Sequence, residues 1–475
     1  MSFGGLYISI SGIYANKKSL DTISHNISNV NNPNYVRQRV THAERRYSTT
    51  GDLKLQTGTG VNVQEIRQIR DEFLDIKLRR EMATFGYYNA KSEILGEVED
   101  IFDGGFQEVM DDFWNGWTEL SKEPDSLTIR GLLHENATAF TTTVNHMSTQ
   151  LDNLQYNLNK EMLNKTEEVN KTLKDISGLN KSIKLAESYG ENISANDYRD
   201  SRNAALDRLS QLIPITHYEN KYGEEVVSLH GKDLVNGDYL NPIEVRLNDK
   251  GHGEIYWSDT GEPMDLKGLG ELGGYIDARD KSVVEYKDRL NIMVKTIANK
   301  INEIHITGVG LDNTSVLKFF EFDVNDKNNI AANIKVNPEL KDFNKIAASK
   351  TGDKGDGEIA KAILDLREKT IFGKYNFEDP NKITEPGTIT ADGFYRDLIL
   401  NLGLEREQAR SMAENQTMLI RQIDERRKEI SSVSLDEEMA DMLKYQHSYI
   451  ANSRVVNAID EMMDQVINRM GVVGR

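Results

Sequence analysis

The chain has 475 residues and a formal charge of −18, and it contains no cysteine. A chain of this length exceeds one small core, so about three structural units are expected, and its acidity disfavours binding to nucleic acid phosphates. The absence of cysteine excludes a disulfide framework, a thiolate zinc site and a thiol nucleophile. We also expect neither membrane insertion nor a cleaved signal peptide, because no run of about eighteen apolar residues occurs and no basic segment precedes the first apolar residues.

Near the N-terminus, apolar residues recur at spacings of mostly three and four, which predicts an amphipathic helix roughly 40 Å long. The sequence Asn-Asn-Pro-Asn-Tyr-Val-Arg-Gln follows at 31–38 and predicts that the helix stops at a turn. Because one helix cannot bury its own apolar seam, this seam is expected to form an assembly interface. Its residues are Leu6, Ile10, Ile13, Leu20, Ile23, Ile27 and Val30.

The middle of the chain is rich in Leu, Ile, Lys, Glu and Asn and predicts long amphipathic helices at 71–103, 127–186 and 275–305. Two stretches break this pattern. Residues 216–266 alternate in polarity and predict strands, and residues 313–395 combine loops, short strands and one helix near 358–370. In the first stretch, a hairpin is expected whose turn contains Asn248, Asp249 and Gly251.

A second long helix is predicted at the C-terminal end. Ser434 and Glu437 form a capping-box pattern at its start, and Gly471 follows as a stop signal. Apolar positions alternate in steps of three and four over about five heptads, which is the pattern of a coiled coil. The expected interface residues are Leu435, Met442, Tyr445, Tyr449, Val456, Ile459, Met463, Val466 and Met470.

These elements predict a mainly α fold with β-rich insertions, in which the N- and C-terminal helices pair as a coiled coil. The centre is expected to be a bundle of long helices that carries strand-rich outer regions. The predicted domains are a terminal helical core of 1–70 with 431–475, a helical middle domain of 71–215, 267–312 and 396–430, a β-rich insertion at 216–266, and a mixed α/β outer region at 313–395.

Motifs for catalysis, cofactor binding and metal binding are not apparent. The nine histidines are scattered, with no HExxH pattern, and no GxSxG elbow occurs. Residues 268–273 match GxGxxG, but no buried strand precedes them, so a glycine-rich domain junction is expected instead. Asp323, Asn325 and Asp326 lack the glycine and the final glutamate of a calcium loop. We therefore predict a protein without catalytic residues, cofactor or metal.

The segment SGIYANKKSLDTISHNISNVNNPNYVRQRV resembles the N-terminal signature of flagellar axial proteins, which comprise rod, hook and hook-associated proteins. Asn34 stands where these proteins usually have glycine. Asparagine tolerates positive φ, so a type II turn at Pro33–Asn34 is expected. The signature residues are Asn26, Asn29, Asn32, Pro33, Tyr35, Arg37 and Gln38.

Further segments narrow the resemblance to the hook-associated protein 1 family (FlgK family) of hook–filament junction proteins. DYRDSRNAALDRLSQLIPI at 197–215 and GELGGYIDARDKSV after it are similar to segments of that family. The C-terminal helix is also similar, with Leu435, Glu437, Gln446, Tyr449, Ala451 and Arg454 in register. The resemblance covers residues 1–215, 267–312 and 431–470.

This resemblance implies a non-enzymatic structural adaptor that assembles at the distal end of the hook and joins it to the filament. It implies neighbouring copies of the chain in a ring, hook protein below and a second junction protein above. It also implies export by the flagellar type III apparatus without a cleaved signal peptide, with a cytoplasmic chaperone on the C-terminal helix beforehand. The expected location is extracellular, in the bacterial flagellum. The terminal seams are expected to order only on assembly.

Three alternatives remain open. Another axial subunit, of the hook or distal rod, is disfavoured because such proteins lack the long helical stretch of 127–215. A cytoplasmic coiled-coil scaffold explains the heptads but not the turn at 31–38. A peptidoglycan-cleaving enzyme is the remotest alternative, because no acid/base pair is apparent.

Overall fold

A computed structural model of the chain describes residues 4–50, 55–188, 194–248, 251–266, 268–323, 329–373 and 387–469. Met470 and Gly471 of the predicted C-terminal helix, Asp249 of the predicted hairpin turn, and Asn325 and Asp326 lie outside the described residues. The fold is mainly helical, with small antiparallel sheets, as the sequence predicts. In the described ranges, no helix is long and apolar enough to cross a membrane.

The first half of the chain contains α1 (Gly4–Ser28), β1 (Gln38–Glu44), β2 (Ser48–Thr50), β3 (Leu55–Thr57), β4 (Val61–Gln68), α2 (Glu72–Phe102), α3 (Phe106–Lys122), α4 (Leu127–Glu187) and α5 (Asn196–Leu212). Asp71 caps α2 by accepting hydrogen bonds from the backbone of Phe73 and Leu74. Ser126 caps α4, which is 61 residues long. The predicted helices at 71–103 and 127–186 are confirmed.

The second half contains β5 (Thr216–Glu219), β6 (Glu225–Leu229), β7 (Lys232–Asn236), β8 (Tyr239–Leu240), β9 (Ile243–Leu247), β10 (Gly253–Trp257), α6 (Gly270–Asp277), α7 (Val283–His305), β11 (Phe320–Glu321), α8 (Ile330–Asn333), β12 (Lys335–Val336), α9 (Glu358–Leu364), α10 (Ala391–Ser431) and α11 (Leu435–Asp464). A π-helical segment joins α6 to α7, and another follows α11. The predicted hairpin is confirmed, because β9 and β10 pair antiparallel.

Two buried clusters form the interior. The larger cluster joins α2, α3, the first part of α4, α7 and α10, and it contains the aromatic side chains of Phe113, Trp114, Trp117 and Phe140. Phe320 packs beside Phe113 with ring centroids 5.9 Å apart. Buried residues between 319 and 372 therefore belong to the same core as the long helices. The division of the chain into domains stays a prediction.

The smaller cluster lies where the second part of α4 and α5 pack against the strands of residues 216–266. β5, β6, β7 and β8 form one antiparallel sheet in that order. The glycine-rich start of α6 packs closely on this cluster: a Cβ on Gly273 would lie 2.2 Å from the Leu266 carbonyl oxygen, and one on Gly270 would lie 2.6 Å from that of Leu212. These glycines permit close backbone packing.

Several details differ from the sequence prediction. Helix α9 ends at Leu364 rather than near 370, because Arg367 pairs with Asp111 and Asp392 and the chain turns towards α10. The type II turn is wrong: the Tyr35 backbone N–H does donate to the Asn32 carbonyl at 3.1 Å, but φ at Asn34 is not positive. The Asn32 side chain instead accepts a hydrogen bond from the Asn34 backbone at 3.1 Å.

Candidate assembly interface at the terminal helices

Helices α1 and α11 pack against each other in antiparallel orientation. A Cβ on Gly5 would lie 3.4 Å from Ile459, and one on Gly12 would lie 2.9 Å from the Asn452 side-chain nitrogen. Towards the end of α1, the Asn26 side chain donates to Glu438. As residue numbers rise along α1, the numbers of their contacts on α11 fall, so the two helices run antiparallel. The two helices form one arm that begins where α1 ends and α11 starts.

The face of α1 that packs most closely consists of small and polar residues, which apolar periodicity does not detect. They are Ser9, Ser11, Ala15, Ser19, Thr22, Ile23 and Asn26. Apart from Ile23, none belongs to the predicted seam. Small residues recurring at steps of four and three let neighbouring elements approach the α1 backbone: α11 does so at Gly12, and the β1–β4 ribbon does so at Ser11, which accepts a hydrogen bond from the Val61 backbone. That spacing is the sequence signal that could have identified this face.

The predicted apolar seam lies beside this face and is only partly covered. On α1, Ile23 is buried, whereas the other six residues are half-buried: Leu6, Ile10, Ile13, Leu20, Ile27 and Val30. On α11, Met442, Tyr445, Val456, Ile459 and Met463 are half-buried, while Leu435 and Tyr449, and Val466 of the π-helical segment after α11, are exposed. Pairing of the two helices within one chain thus leaves much of both seams accessible.

A second set of apolar side chains on the arm is more exposed and was missed by the heptad pattern. Met439 and Leu443 are 58% and 57% exposed, and Ile450 lies further along the same side of α11. On α1, Tyr7 and Tyr14 are 66% and 70% exposed and lie two turns apart. Surface helices of soluble monomers seldom expose such a series, which marks an interaction surface.

The turn after α1 is held by the side chain of Asn26. Its amide nitrogen donates to the Gln38 carbonyl at 2.9 Å and to the buried carboxylate of Glu438 at 3.0 Å. Its oxygen accepts from the Tyr35 hydroxyl at 2.7 Å and from the Gln38 backbone N–H at 3.0 Å. One amide therefore connects α1, the turn, β1 and α11. Burial, with the charges of Asp197, Asp200 and Glu438, raises the pKa of Tyr35 far above its usual value.

Arg37 joins the same turn to the start of α11. Its guanidinium donates to Glu438 at 2.6 Å and to Glu437 at 2.7 Å, and its backbone N–H donates to the Ser431 carbonyl at 2.8 Å. Burial opposes the charge of Arg37, but hydrogen bonds and charges from Glu437 and Glu438 outweigh it and raise the pKa. Helix α11 begins where the capping-box pattern predicts, with Ser434 as the N-cap residue, but the predicted bonds are absent: Ser434 makes no side-chain cap, and Glu437 bonds Arg37 instead.

Gln38 and its neighbours attach this turn to α5. The Gln38 side chain donates to Asp197 at 3.1 Å and accepts from Asn196 at 3.1 Å. Asp200 accepts from the Val36 backbone at 3.3 Å and from the Gln68 side chain at 2.6 Å. The signature residues Asn26, Tyr35, Arg37 and Gln38 thus meet in one network. Of the others, Asn29 bonds the His25 carbonyl, Asn32 forms the turn, and Pro33 is exposed.

Asp200 is the electrostatically unusual member of this junction. Its burial raises the carboxyl pKa to about 7, although the Val36 N–H and the charge of Arg70 act in the opposite direction. Beside it, Asp207 binds both Arg79 at 2.7 Å and Arg427 at 2.9 Å. Burial alone would raise the pKa of Asp207, but these two arginines lower it. Charged groups from α2, α5 and α10 therefore meet directly below the arm.

Groups that could hold a metal ion do not occur at this junction: across the described ranges, three or more His, Asp or Glu side chains nowhere converge in a suitable arrangement. The role that this junction can serve is structural. It orients an arm of two helices whose outer surface is apolar, and it locks that arm to the helical body through hydrogen bonds and ion pairs.

Comparisons with known families agree with this geometry. The family model "Flagellar hook-associated protein FlgK helical domain" matches residues 95–320, and the model "Flagellar basal body rod FlgEFG protein C-terminal" matches residues 427–470. The second match contains all of α11. The first spans α3 to α7 and the strands between them, together with the end of α2.

Similar proteins match over almost their entire lengths. Flagellar hook-associated protein 1 of Bacillus subtilis is 30% identical over 521 residues, covering 100% of this chain and 99% of the relative. The same-named protein of Escherichia coli is 20% identical, covering 97% and 98%. The flagellar hook junction protein FlgK from Burkholderia pseudomallei has the same fold, with a TM-score of 0.63 at 13% identity over 76% of this chain and 100% of that chain. This chain belongs to the flagellar hook-associated protein 1 family.

Proposed function

We propose that this chain is a structural adaptor that assembles at the distal end of the bacterial flagellar hook and joins it to the filament. The observation that supports this most strongly is the end-to-end similarity to hook-associated protein 1. The projecting arm of α1 and α11 fits the same role, because a subunit that acts by assembly needs an accessible contact surface rather than a catalytic cleft.

In this proposal the arm forms the inner contact layer of the junction. Neighbouring copies in a ring cover the half-buried seams and the exposed residues Met439, Leu443 and Ile450. Burying an apolar side chain of this size contributes about 1.5–3 kcal/mol, so a few such contacts per copy suffice for stable association. The long helices form the wall outside this layer, and the β-rich segment 216–266 faces outwards.

The exposed apolar surface of the arm is also relevant to the partners of the chain and to its export. We infer that hook protein lies below the ring and a second junction protein above it, and that the chain reaches this extracellular position through the flagellar type III apparatus. An apolar α11 exposed in the cytoplasm would invite aggregation. A cytoplasmic chaperone that covers α11 before export would prevent this. The role requires neither cofactor nor catalytic group, and we propose that the chain is not an enzyme.

Deleting the gene tests the function. Cells without the chain should build hooks without filaments and release filament subunits into the medium, and the wild-type gene should restore filaments. Normal filaments in the deletion strain would refute the proposal.

The interface is tested separately with two matched variants that each place one carboxylate on exposed α11. L443D should abolish filament growth, because Leu443 belongs to the apolar surface, whereas K444D changes an exposed polar position about 100° further round α11, away from Met439, Leu443 and Ile450, and should be tolerated. Equal behaviour of the two variants would count against α11 as the contact surface.

A further inference from the structure

The segment between α1 and α2 carries charge of the opposite sign to the rest of the chain. Residues 37–70 hold seven Arg or Lys and three Asp or Glu, whereas the whole chain has 58 basic and 76 acidic residues. Strands β1 and β4 of this segment form an antiparallel ribbon. One face of the ribbon packs towards α1 and α5 through Gln38 and Val40, so the other face is open.

Two arginines lie directly opposite each other on the open face. Arg39 of β1 is the cross-strand partner of Arg67 of β4, and both are exposed. Like charges directly opposite each other destabilise a strand pair. Within the described residues, neither guanidinium forms an ion pair, and Glu65 on the same face pairs with neither. The ribbon therefore presents a doubly charged site for a carboxylate-bearing partner.

A matching acidic stripe occurs on α2. Glu93, Glu97 and Asp100 lie at spacings of four and three on one exposed side of the helix. None of them forms an ion pair in the part of the chain that the structure describes. Partial burial, with the charges of Asp100 and Glu93, raises the pKa of Glu97. A cationic partner would relieve this repulsion.

The two sites cannot meet within one molecule. Helix α2 begins four residues after β4, and Glu93 and Asp100 lie 21 and 28 residues beyond its start. At 1.5 Å per residue, the stripe is roughly 30–40 Å from the ribbon along a continuous helix. Any contact between these sites is therefore a contact between two copies.

We propose that the Arg39–Arg67 pair of one copy binds the Glu93–Glu97–Asp100 stripe of a second copy of this chain. The inference rests on the proposed function, because it supplies a contact within the assembly. The contact joins two different surfaces, so each copy offers one site to each of two neighbours, and those neighbours are displaced by roughly 30–40 Å along α2. Because both surfaces are exposed, the contact is sensitive to salt.

The absence of cysteine makes the contact directly testable. The variant R67C/E97C carries one cysteine at each site, and the distance along α2 is far beyond the roughly 7 Å that a disulfide allows between Cα atoms. Oxidised, sheared flagella should yield a ladder of covalent dimers and higher multiples. R67C alone, E97C alone and R67C/E135C should yield monomers, since Glu135 is an exposed acid on α4. A double variant that builds filaments but yields only monomers, or that crosslinks to another flagellar protein, would overturn the proposal.

Charge reversal provides a second measurement that does not depend on disulfide formation. R39E/R67E and E93R/E97R should each reduce the number of filaments per cell at least tenfold, and the variant with all four changes should recover most of them. Filaments at wild-type number in R39E/R67E, or no recovery in the combined variant, would refute the contact. If the deletion strain itself builds normal filaments, the proposed function fails instead.

Discussion

The hydroxyl of Tyr35 donates a 2.7 Å hydrogen bond to the side-chain oxygen of Asn26, across the turn that ends α1. The same amide also bonds Gln38 and, 412 positions later, Glu438. Asn26 and Tyr35 both belong to the N-terminal signature. Their pairing explains why an asparagine near the end of the helix and a tyrosine after the turn occur together: each satisfies the other in a buried place where water cannot.

Removing the Asn26 amide should loosen the arm. N26A leaves the Tyr35 hydroxyl and the Gln38 N–H without their partner, and each lost buried partner costs about 1–3 kcal/mol. Native-state hydrogen exchange of α1 and α11 should show a free energy of local opening lower by about 2–4 kcal/mol. N26D should be at least as damaging, because it sets a second carboxylate against Glu438. Unchanged exchange in N26A would contradict the network.

The two ion pairs of Arg37 should differ in strength. The Glu438 side chain is 2% exposed and that of Glu437 is 64% exposed. A double-mutant cycle for Arg37 and Glu438 should give a coupling energy of about 1.5–3 kcal/mol, as for hydrogen bonds to buried charges. The matched cycle for Arg37 and Glu437 should give less than about 1 kcal/mol, as for an exposed pair. Equal couplings would show that burial does not decide the strength.

The junction should lose stability as pH rises towards 7. The pKa of Asp200 is about 7 in the folded chain, against an ordinary value of 3.8. The folded state therefore holds a proton that the unfolded state has released between these values, and stability falls by about 1.4 kcal/mol per pH unit in that window.

The contribution of Asp200 is present in full below pH 4 and is lost above pH 7. The D200N side chain cannot titrate. The unfolding free energy of the wild type minus that of D200N, measured at each pH, therefore isolates the contribution of the Asp200 carboxyl group. A difference that is flat from pH 4 to 7 would refute the raised pKa.

His305 should give the stability of the chain a pH dependence opposite to that from Asp200. It is fully buried: one ring nitrogen lies 2.7 Å from the Leu317 carbonyl, and the other accepts from the Ala347 N–H at 3.0 Å. Burial lowers its pKa to about 4, so stability present above pH 6.5 is lost as pH falls towards 4. Exchange at the Ala347 amide should accelerate over this range relative to the intrinsic rate, whereas H305N should show no such pH dependence.

Two helical glycines should respond oppositely to alanine. A Cβ on Gly86 of α2 would lie 2.4 Å from the Gln211 carbonyl oxygen, whereas one on Gly178 of α4 meets nothing within 4 Å. G86A should destabilise the chain by about 1–3 kcal/mol through overpacking. G178A should stabilise it by about 0.5–1 kcal/mol, because alanine favours the helix. Urea unfolding of both variants checks the signs.

Apolar periodicity predicted the long helices well, because α2 and α4 bury a regular stripe along most of their length. It predicted the terminal seams less well. Helix α1 buries serine, threonine and alanine against α11 and against the β1–β4 ribbon, with Ser11 beside Val61 and Ser19 beside His42. Their burial depends on how closely these backbones approach, and that distance is a property of the packed elements rather than of α1 alone.

The junction itself was beyond prediction from local patterns. The local pattern predicts Glu437 as a capping residue and gives Glu438 no role. Their partners Asn26 and Arg37 lie about 400 positions earlier in the sequence, so only the fold brings them together. The same applies to residues 319–372, whose apolar residues are scattered among loops but enter the core of α3 and α4.

The arm of α1 and α11 is attached to the body by two chain segments, at residues 29–37 and 432–434, which lie side by side. A body held by one flexible strand can swivel about its single bonds, so it passes tension but hardly any torque. Two strands that lie side by side and are bridged by Arg37 resist rotation of the arm. A subunit built in this way passes twisting as well as pulling from its arm to its body.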